Sequence, residues 1–258
     1  MPGRSSATNA AEKACRILCA LSDPRTRRLT DIAASTGLHK VSVLRVLEVL
    51  VAEGLVERDE DKLYRYGAEV RVMAASMNAR DDLRAIARPS LRRLAEDSGD
   101  TVLLVEPHGM ECVCLDRLTG DYPIHASTLH IGSRRPLGIG SGPMAVLAWL
   151  GPADQRAAMH YVKDHLQRFP RLSMARIEAG IRETRDRGCA IQYDEVVSQV
   201  GAIGMPILDP QGRPVGALSI SSLSPRIRER EEELSTLLAR EVAVVRRAMG
   251  QRTPEAVR

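Results

Sequence analysis

The chain has 258 residues, 44% hydrophobic and 27% charged, which is the balance of an average soluble protein with apolar residues enough for two modest cores. Seven aromatic residues exclude a stacking platform for single-stranded nucleic acid, which needs interleaved rings, and no run approaches the roughly 20 apolar residues of a membrane span. The formal net charge of +4 is concentrated: residues 1–52 carry eight Arg or Lys against four Asp or Glu, whereas residues 68–258 carry 26 against 24, so a phosphate-backbone partner fits the N-terminal end.

Residues 1–9 read as a small, polar tail without the apolar run of a secretory signal, and the five cysteines are odd in number and irregularly spaced. Reduced thiols and a cytoplasmic location are expected. Ala11 to Ser22 reads as a helix with Ile17, Leu18 and Leu21 on one face, ended by Asp23-Pro24. Cys15 and Cys19, one turn apart, are expected in its core. Thr30 is the expected N-cap of a short helix, Asp31 to Thr36, which Gly37 stops with a tight turn. A third helix is expected from Lys40 to Glu53, ending at Gly54. Leu55–Arg58 and Leu63–Tyr66 read as short strands joined by Asp59-Glu60-Asp61, and Gly67 closes the unit.

Three helices followed by a two-stranded ribbon is the plan of a winged helix-turn-helix, whose third helix stands proud enough to enter a major groove. Leu38 is expected to anchor the turn beside Ile32 and Leu47. The outer side of the third helix carries Ser42 and Arg45, with His39 and Lys40 at its start. Lys40 and Arg45 are the foremost candidates for base or phosphate contact, because a guanidinium can bond guanine bidentately. Arg25, Arg27 and Arg28 precede the second helix within reach of flanking phosphates, and Lys62 and Arg65 sit on the wing. The competing reading is a solvated, charged face on a small interaction module, with Arg45 and Glu48 an ordinary surface pair.

Ala68 to Asn78 reads as a helix, with Val72, Met73 and Met77 at helical spacing. Residues 68–80 are therefore expected to link a first domain, 1–67, to a second, 81–250, with 251–258 as a tail. Leu83–Glu96 is an expected helix, interrupted or bent at Pro89. Thr101–Glu106 and Glu111–Arg117 are expected strands around a His108-Gly109 turn, with another over Ile124–Leu129. Helices follow over Gly142–Trp149, Pro152–Met159 and Met174–Arg187, then a short strand, Cys189–Tyr193. Val200–Leu208 and Val215–Ser221 form a hairpin across Asp209-Pro210-Gln211-Gly212, and Glu229–Met249 closes the chain as a helix. That order implies an α+β domain with an antiparallel sheet.

Gly138, Gly140 and Gly142 open the helix containing Trp149, and glycine-rich backbone at a helix N-terminus offers free N–H groups to an anion. The Gly-Lys-Ser/Thr ending of a Walker loop is missing, and so is dinucleotide-fingerprint spacing; a plain strand-to-helix bend is the competing reading. Ser219 and Ser221, two apart on a strand, share one face. Cys112 and Cys114 also share a strand face, near His108 in sequence, but a zinc site needs further ligands that only distant His125 or His130 could supply. Small buried hydrophobes is the alternative for this pair. No nucleophile, base and orienting group stand together in a catalytic motif, so neither an enzyme nor a cofactor is expected.

The ordered combination of Leu29-Thr-Asp-Ile-Ala-Ala-Ser-Thr-Gly-Leu38, Lys40-Val-Ser-Val-Leu-Arg-Val-Leu47, Leu50-Val-Ala-Glu-Gly-Leu-Val-Glu-Arg58, Tyr64-Arg-Tyr-Gly67, Leu115-Asp-Arg117, Ile131-Gly-Ser-Arg134, Pro136-Leu137, Arg187-Gly188 and Gly212-Arg-Pro-Val-Gly-Ala-Leu-Ser219 resembles the IclR family of bacterial transcriptional regulators from about Ala11 to Met249. The resemblance implies an N-terminal winged helix-turn-helix, a linker helix and a C-terminal GAF-like effector domain. It implies a homodimer, often a dimer of dimers, whose hold on double-stranded operator DNA answers a small carboxylate-bearing metabolite. It places that effector against Ser141, Gly142, Asp194, Ala202, Ser219 and Ser221. Ser141 and the Gly142 N–H would take the carboxylate, Ser219 and Ser221 would donate to it, and Asp194 would fix a hydroxyl or water. Two departures from the family pattern bear on specificity. Val41 and Leu44 stand where polar residues are usual, which admits contact with a thymine methyl. Ala202 replaces a common cysteine, and the glycine-rich segment replaces a His-Ala-Thr-Ala type stretch, implying a roomier, less polar pocket and a larger or aromatic acid. The alternative is a non-catalytic nucleotide, redox or metal sensor on the same DNA-binding head.

Overall fold

The computed structural model describes residues 9–23, 25–76, 83–126 and 129–250. Both tails beyond these limits, Pro24, and Met77 and Asn78 of the expected linker helix lie outside the described residues. The chain divides into two units, residues 1–81 and 82–258.

The first unit holds α1 (Ala10–Ala20), α2 (Leu29–Thr36), α3 (Lys40–Ala52), β1 (Val56–Arg58), β2 (Tyr64–Tyr66) and α4 (Ala68–Ser76). Its core is Ile17, Leu21, Ile32, Val43, Leu47, Leu50, Val56 and Tyr64, with Leu18, Leu29 and Leu38 packed against it. Val43, Leu47 and Leu50 recur at helical spacing, so α3 buries one stripe and leaves its opposite face outside. Gly37 ends α2 at φ 68°, a left-handed bend that costs glycine nothing. The ribbon β1–β2 is antiparallel and tied at both ends. The Tyr64 N–H donates to the Arg27 carbonyl at 2.8 Å, and the Tyr66 hydroxyl donates to the Leu18 carbonyl at 2.8 Å. Two expectations are corrected. α2 begins at Leu29, not after Thr30, because the chain enters extended at Arg28, whose N–H donates to the Asp31 carboxylate at 3.3 Å. Cys15 and Cys19 are exposed, because Ile17, with Ala14, Leu18 and Leu21, takes the buried stripe of α1.

The second unit comprises α5 (Leu83–Ser98), β3 (Thr101–His108), β4 (Glu111–Thr119), β5 (Arg134–Pro136), α6 (Ser141–Trp149), α7 (Pro152–His165), α8 (Met174–Arg187), β6 (Ala190–Tyr193), β7 (Val200–Leu208), β8 (Pro214–Leu223), α9 (Ser224–Glu229) and α10 (Glu231–Gly250). The six strands pair antiparallel in the order β5-β4-β3-β8-β7-β6. Strand alternation gives the sheet two apolar faces. Val102, Leu104, Ile203, Leu218 and Ile220 pack against α5 and α10. Leu103, Val105, Cys112, Cys114 and Ala217 pack against α6, α7 and α8. The first layer is clamped by Asp100, which is buried and bonds Arg226 at 2.9 Å and Arg230 at 3.0 Å, and by buried Glu241, held by Arg93 at 2.6 Å. α5 runs through Pro89 without interruption. No strand forms over the described residues of Ile124–Leu129; the edge strand falls at Arg134–Pro136, where β4 offers a free edge to Arg134 and Arg135. No helix among the described residues is long and apolar enough to cross a membrane.

Candidate DNA-reading surface and ligand cavity

Burial of the Val43–Leu47–Leu50 stripe fixes which side of α3 faces out. Lys40, Val41 and Arg45 are exposed on it, and Ser42 and Leu44 are half-buried at its margins. Val41 is 63% exposed and stands one turn before Arg45, so an apolar contact and a cation share one stripe. His39 precedes the helix and is exposed, as are Arg27 and Arg28 before α2. Lys62 is exposed at the ribbon turn, in left-handed backbone at φ 62°. Arg65 differs: its guanidinium bonds Glu57 at 3.1 Å across the ribbon, and Arg71 from α4 bonds the same carboxylate at 3.1 Å. These two cations hold the Glu57 carboxyl below the usual range. Arg65 is thus committed within the ribbon more than the sequence indicates.

In the second unit, one cavity lies where α6 starts against the sheet. It is lined by Leu103, Val105, Leu129, Arg135, Gly140, Ser141, Gly142, Gln192, Glu195, Ala202, Ser219 and Ser221, among others. α6 begins with a polar turn over a strand crossing that admits only glycine. A Cβ on Gly204 of β7 would lie 2.6 Å from the Ser141 carbonyl carbon and 2.8 Å from the Gly142 nitrogen. The Ser219 hydroxyl faces the same turn, 3.5 Å from where a Cβ on Gly142 would stand. The N–H groups of Ser141 and Gly142 occupy the first turn of α6, where an α-helix leaves its donors without internal acceptors. Arg135 joins them from β5, its guanidinium 3.0 Å from a Cβ built on Gly140. Burial pushes the Arg135 guanidinium down to about 10, so it stays cationic at neutral pH. Ser221 donates weakly to the Gly201 carbonyl at 3.5 Å. The set is two N–H groups at a positive helix end, two hydroxyls and a buried cation, which is the chemistry of an anion site.

Five of the six residues expected around the ligand, Ser141, Gly142, Ala202, Ser219 and Ser221, therefore line one cavity. Asp194 does not. β6 ends at Tyr193, Asp194 turns into left-handed backbone at φ 60°, and its side chain swings away from the cavity. There it accepts from the Gln199 N–H at 2.6 Å and the Ser224 hydroxyl at 3.0 Å, closing the loop whose residues Glu195, Val196 and Val197 wall the cavity. Arg135, Gln192 and Glu195 were not read from sequence. Gln192 carried a usable signal, since it shares a strand face with buried Ala190 and is a polar residue on an apolar stripe. The cavity is mainly apolar in lining but tighter than the sequence implies. It holds about 40 Å³, room for about three water molecules. Cys112 and Cys114 are buried in the core, and burial pushes both thiols up, Cys114 to about 12, which is the behaviour of packing residues and not of reactive thiols. Among the described residues no group of three or more His, Cys, Asp or Glu could hold a metal ion.

A family model described as the bacterial transcriptional regulator IclR C-terminal domain matches residues 75–245, and one for the IclR helix-turn-helix domain matches residues 10–60. The chain belongs to the IclR family. Among its relatives, the HTH-type transcriptional regulator XynR of Escherichia coli (strain K12) is 27% identical over 225 residues, spanning 85% of this chain and 88% of that protein. The transcriptional repressor IclR of the same strain is 26% identical over 203 residues, spanning 77% and 74%. An IclR homolog from Microbacterium hydrocarbonoxydans, solved in complex with 4-hydroxybenzoate, superposes with a TM-score of 0.77 at 18% identity, over 94% of this chain and all of that one, a likeness of fold. This IclR-family member is a DNA-binding transcriptional regulator, not an enzyme.

Proposed function

We propose that this regulator's affinity for operator DNA is set by a small organic acid bound at the start of α6. The observation that carries the reading is the convergence of the Ser141 and Gly142 N–H groups, Ser219, Ser221 and Arg135 on one cavity. The neighbour solved with 4-hydroxybenzoate supports it, as a relative of the same fold that holds an aromatic acid. Small acids fit the cavity as it stands; an aromatic acid requires Leu129 and the Val196–Val197 wall to give way.

At the DNA end, Arg45 with Lys40 reads base edges, Val41 and Leu44 meet thymine methyl groups, and Ser42, His39, Arg27, Arg28 and Lys62 hold phosphates, with Arg65 contributing its charge from the ribbon. The protein acts as a homodimer or a dimer of dimers, and as a chromosome-binding regulator it works in the cytoplasm. A ligand shifts operator affinity only by preferring one arrangement of the DNA-binding heads over another. The residues of α4, which follow the ribbon in the chain, carry that preference between the units.

A thermal-shift screen of the purified chain against short and aromatic carboxylates tests the cavity. Stabilisation by at least one acid is expected, growing with the logarithm of ligand concentration once that exceeds Kd. The Ser219→Ala, Ser221→Ala double variant should need at least about a hundredfold more of it, since each hydrogen bond to a charged group contributes about 1.5–3 kcal/mol and every 1.4 kcal/mol is tenfold. An unchanged dose response removes these serines from the site.

A further inference from the structure

The sheet register lays a polar row beneath the far end of the cavity. Gln192 on β6 pairs with Ala202 on β7, which pairs with Ser221 on β8. Neighbouring strands stand about 4.8 Å apart, so Gln192 and Ser221 flank a trough roughly 10 Å wide with only the Ala202 methyl between them. Ser219, near the start of α6, is two residues along β8 from Ser221 and on the same face.

Gln192 is 6% exposed, and its Oε1 is buried with no donor. Glu195 stands in the wall two residues past the end of β6. Its Oε1 accepts from Arg176 at 2.6 Å, while its Oε2 is buried with no donor. Both residues line the cavity. Native structures satisfy buried acceptors, because an acceptor removed from water without a donor is costly. Two such acceptors line the cavity together with the donors at the start of α6, Gln192 lying one row further along the sheet than Ser219, which gives the site polarity. Burial drives the Glu195 carboxyl up despite Arg176, a further sign that its environment lacks donors.

We propose that the ligand is two-ended: a carboxylate held by the Gly142 N–H, Ser219 and Arg135, and, at the opposite end, a hydroxyl or amino group that donates to Gln192 Oε1 and Glu195 Oε2. This rests on the cavity being the effector site and narrows its ligand class to hydroxy- and amino-carboxylates. A dicarboxylate is disfavoured, because its second charge would meet the Glu195 carboxylate. A plain monocarboxylate leaves both acceptors unmet, and a site built to bond a hydroxyl or amine discriminates against the analogue lacking it.

The test is calorimetric titration of the full chain with matched acids: acetate, glycolate and glycine; butyrate with its terminal-hydroxy and terminal-amino counterparts; benzoate with its para-hydroxy and para-amino counterparts. In at least one series a donor-bearing member should bind about tenfold more tightly than its parent, equivalent to about 1.4 kcal/mol. The hydroxy and amino arms say which donor the site takes. The Gln192→Leu, Glu195→Gln double variant should erase that preference, parent and donor-bearing acids then binding alike, and a cooperative thermal unfolding transition shows that the variant is folded. Ser219→Ala should weaken every member of the series alike. If acids bind, Ser219→Ala weakens them, and parent and donor-bearing members are equal in every series, the two-ended ligand is wrong and the effector site stands. If no acid binds, both fall.

Discussion

One residue in each unit bears most directly on the proposed chemistry. Arg45 is exposed on α3, one turn from Val41, with its charge free of any role in the core. Arg45→Ala should therefore abolish specific operator binding, measured by fluorescence anisotropy, while the thermal unfolding midpoint stays within about four degrees of wild type, since surface substitutions cost at most about 0.5 kcal/mol. A parallel loss of stability would mean that Arg45 holds the fold. Gly204 is the counterpart beneath the cavity. A methyl there would enter the Ser141 backbone at 2.6 Å, so Gly204→Ala must push the start of α6 off the sheet. Overpacking of this kind costs about 1–3 kcal/mol, and the variant should lose acid binding along with that stability. Retained binding in Gly204→Ala would show that the first turn of α6 does not hold the ligand. The Asp194 and Gln192 pair shows where residue-level reading stops. Both are polar residues near the end of one strand, and only the left-handed backbone at Asp194 sends one into a loop cap and leaves the other facing the cavity.

Among elements, legibility follows the length of the periodic signal. α3 and α8 were readable to within a residue or two because their buried stripes repeat and a glycine follows each. The β7–β8 hairpin was readable from its Asp209-Pro-Gln-Gly turn. The strand expected at Ile124–Leu129 was not there, because three-residue β5 is fixed by the free edge of β4, a long-range fact with no local sign. Cys15 and Cys19 were misplaced for a related reason. Both lie at helical spacing, and only the packing of α1 against α2 and α3 selects Ile17 and Leu21 instead. Arg135 entered the cavity from that same short strand. The α5–α10 pair was legible as two helices but not as a clamp. Glu241 is buried among Arg93, Ser90 and Arg240; burial works to raise its carboxyl, yet hydrogen bonds from Arg93 and Ser90 and the charge of Arg93 outweigh it and hold it below the usual glutamate range. A carboxyl depressed by folding contributes stability above its unfolded value and loses it as pH falls through its folded value. The wild type should accordingly lose stability on acidification below the usual glutamate range, and Glu241→Gln should flatten that limb of the unfolding profile while costing about 1–3 kcal/mol at neutral pH. An acid limb of unchanged slope would remove Glu241 as its source.

For the whole molecule, the two units have separate cores and separate chemistry, one an exposed helix face with flanking cations, the other a cavity lined by N–H groups, hydroxyls and a buried cation. Sharing one chain, they form a ligand-responsive regulator only if binding at the second changes binding at the first. In solution the protein should run at twice or four times 28.3 kDa, as symmetric half-site reading requires, and light scattering checks this directly. Coupling between distinct sites is typically 1–3 kcal/mol, so its footprint is about a fivefold to hundredfold change in operator affinity. The central measurement is operator affinity by anisotropy at fixed salt, with DNA selected by the protein from genomic fragments, with and without a saturating acid found in the thermal screen. The account predicts a shift of at least about fivefold, lost in the Ser219→Ala, Ser221→Ala variant at the acid concentration that just saturates the wild type. An identical affinity in both states, with the acid demonstrably bound, would contradict it.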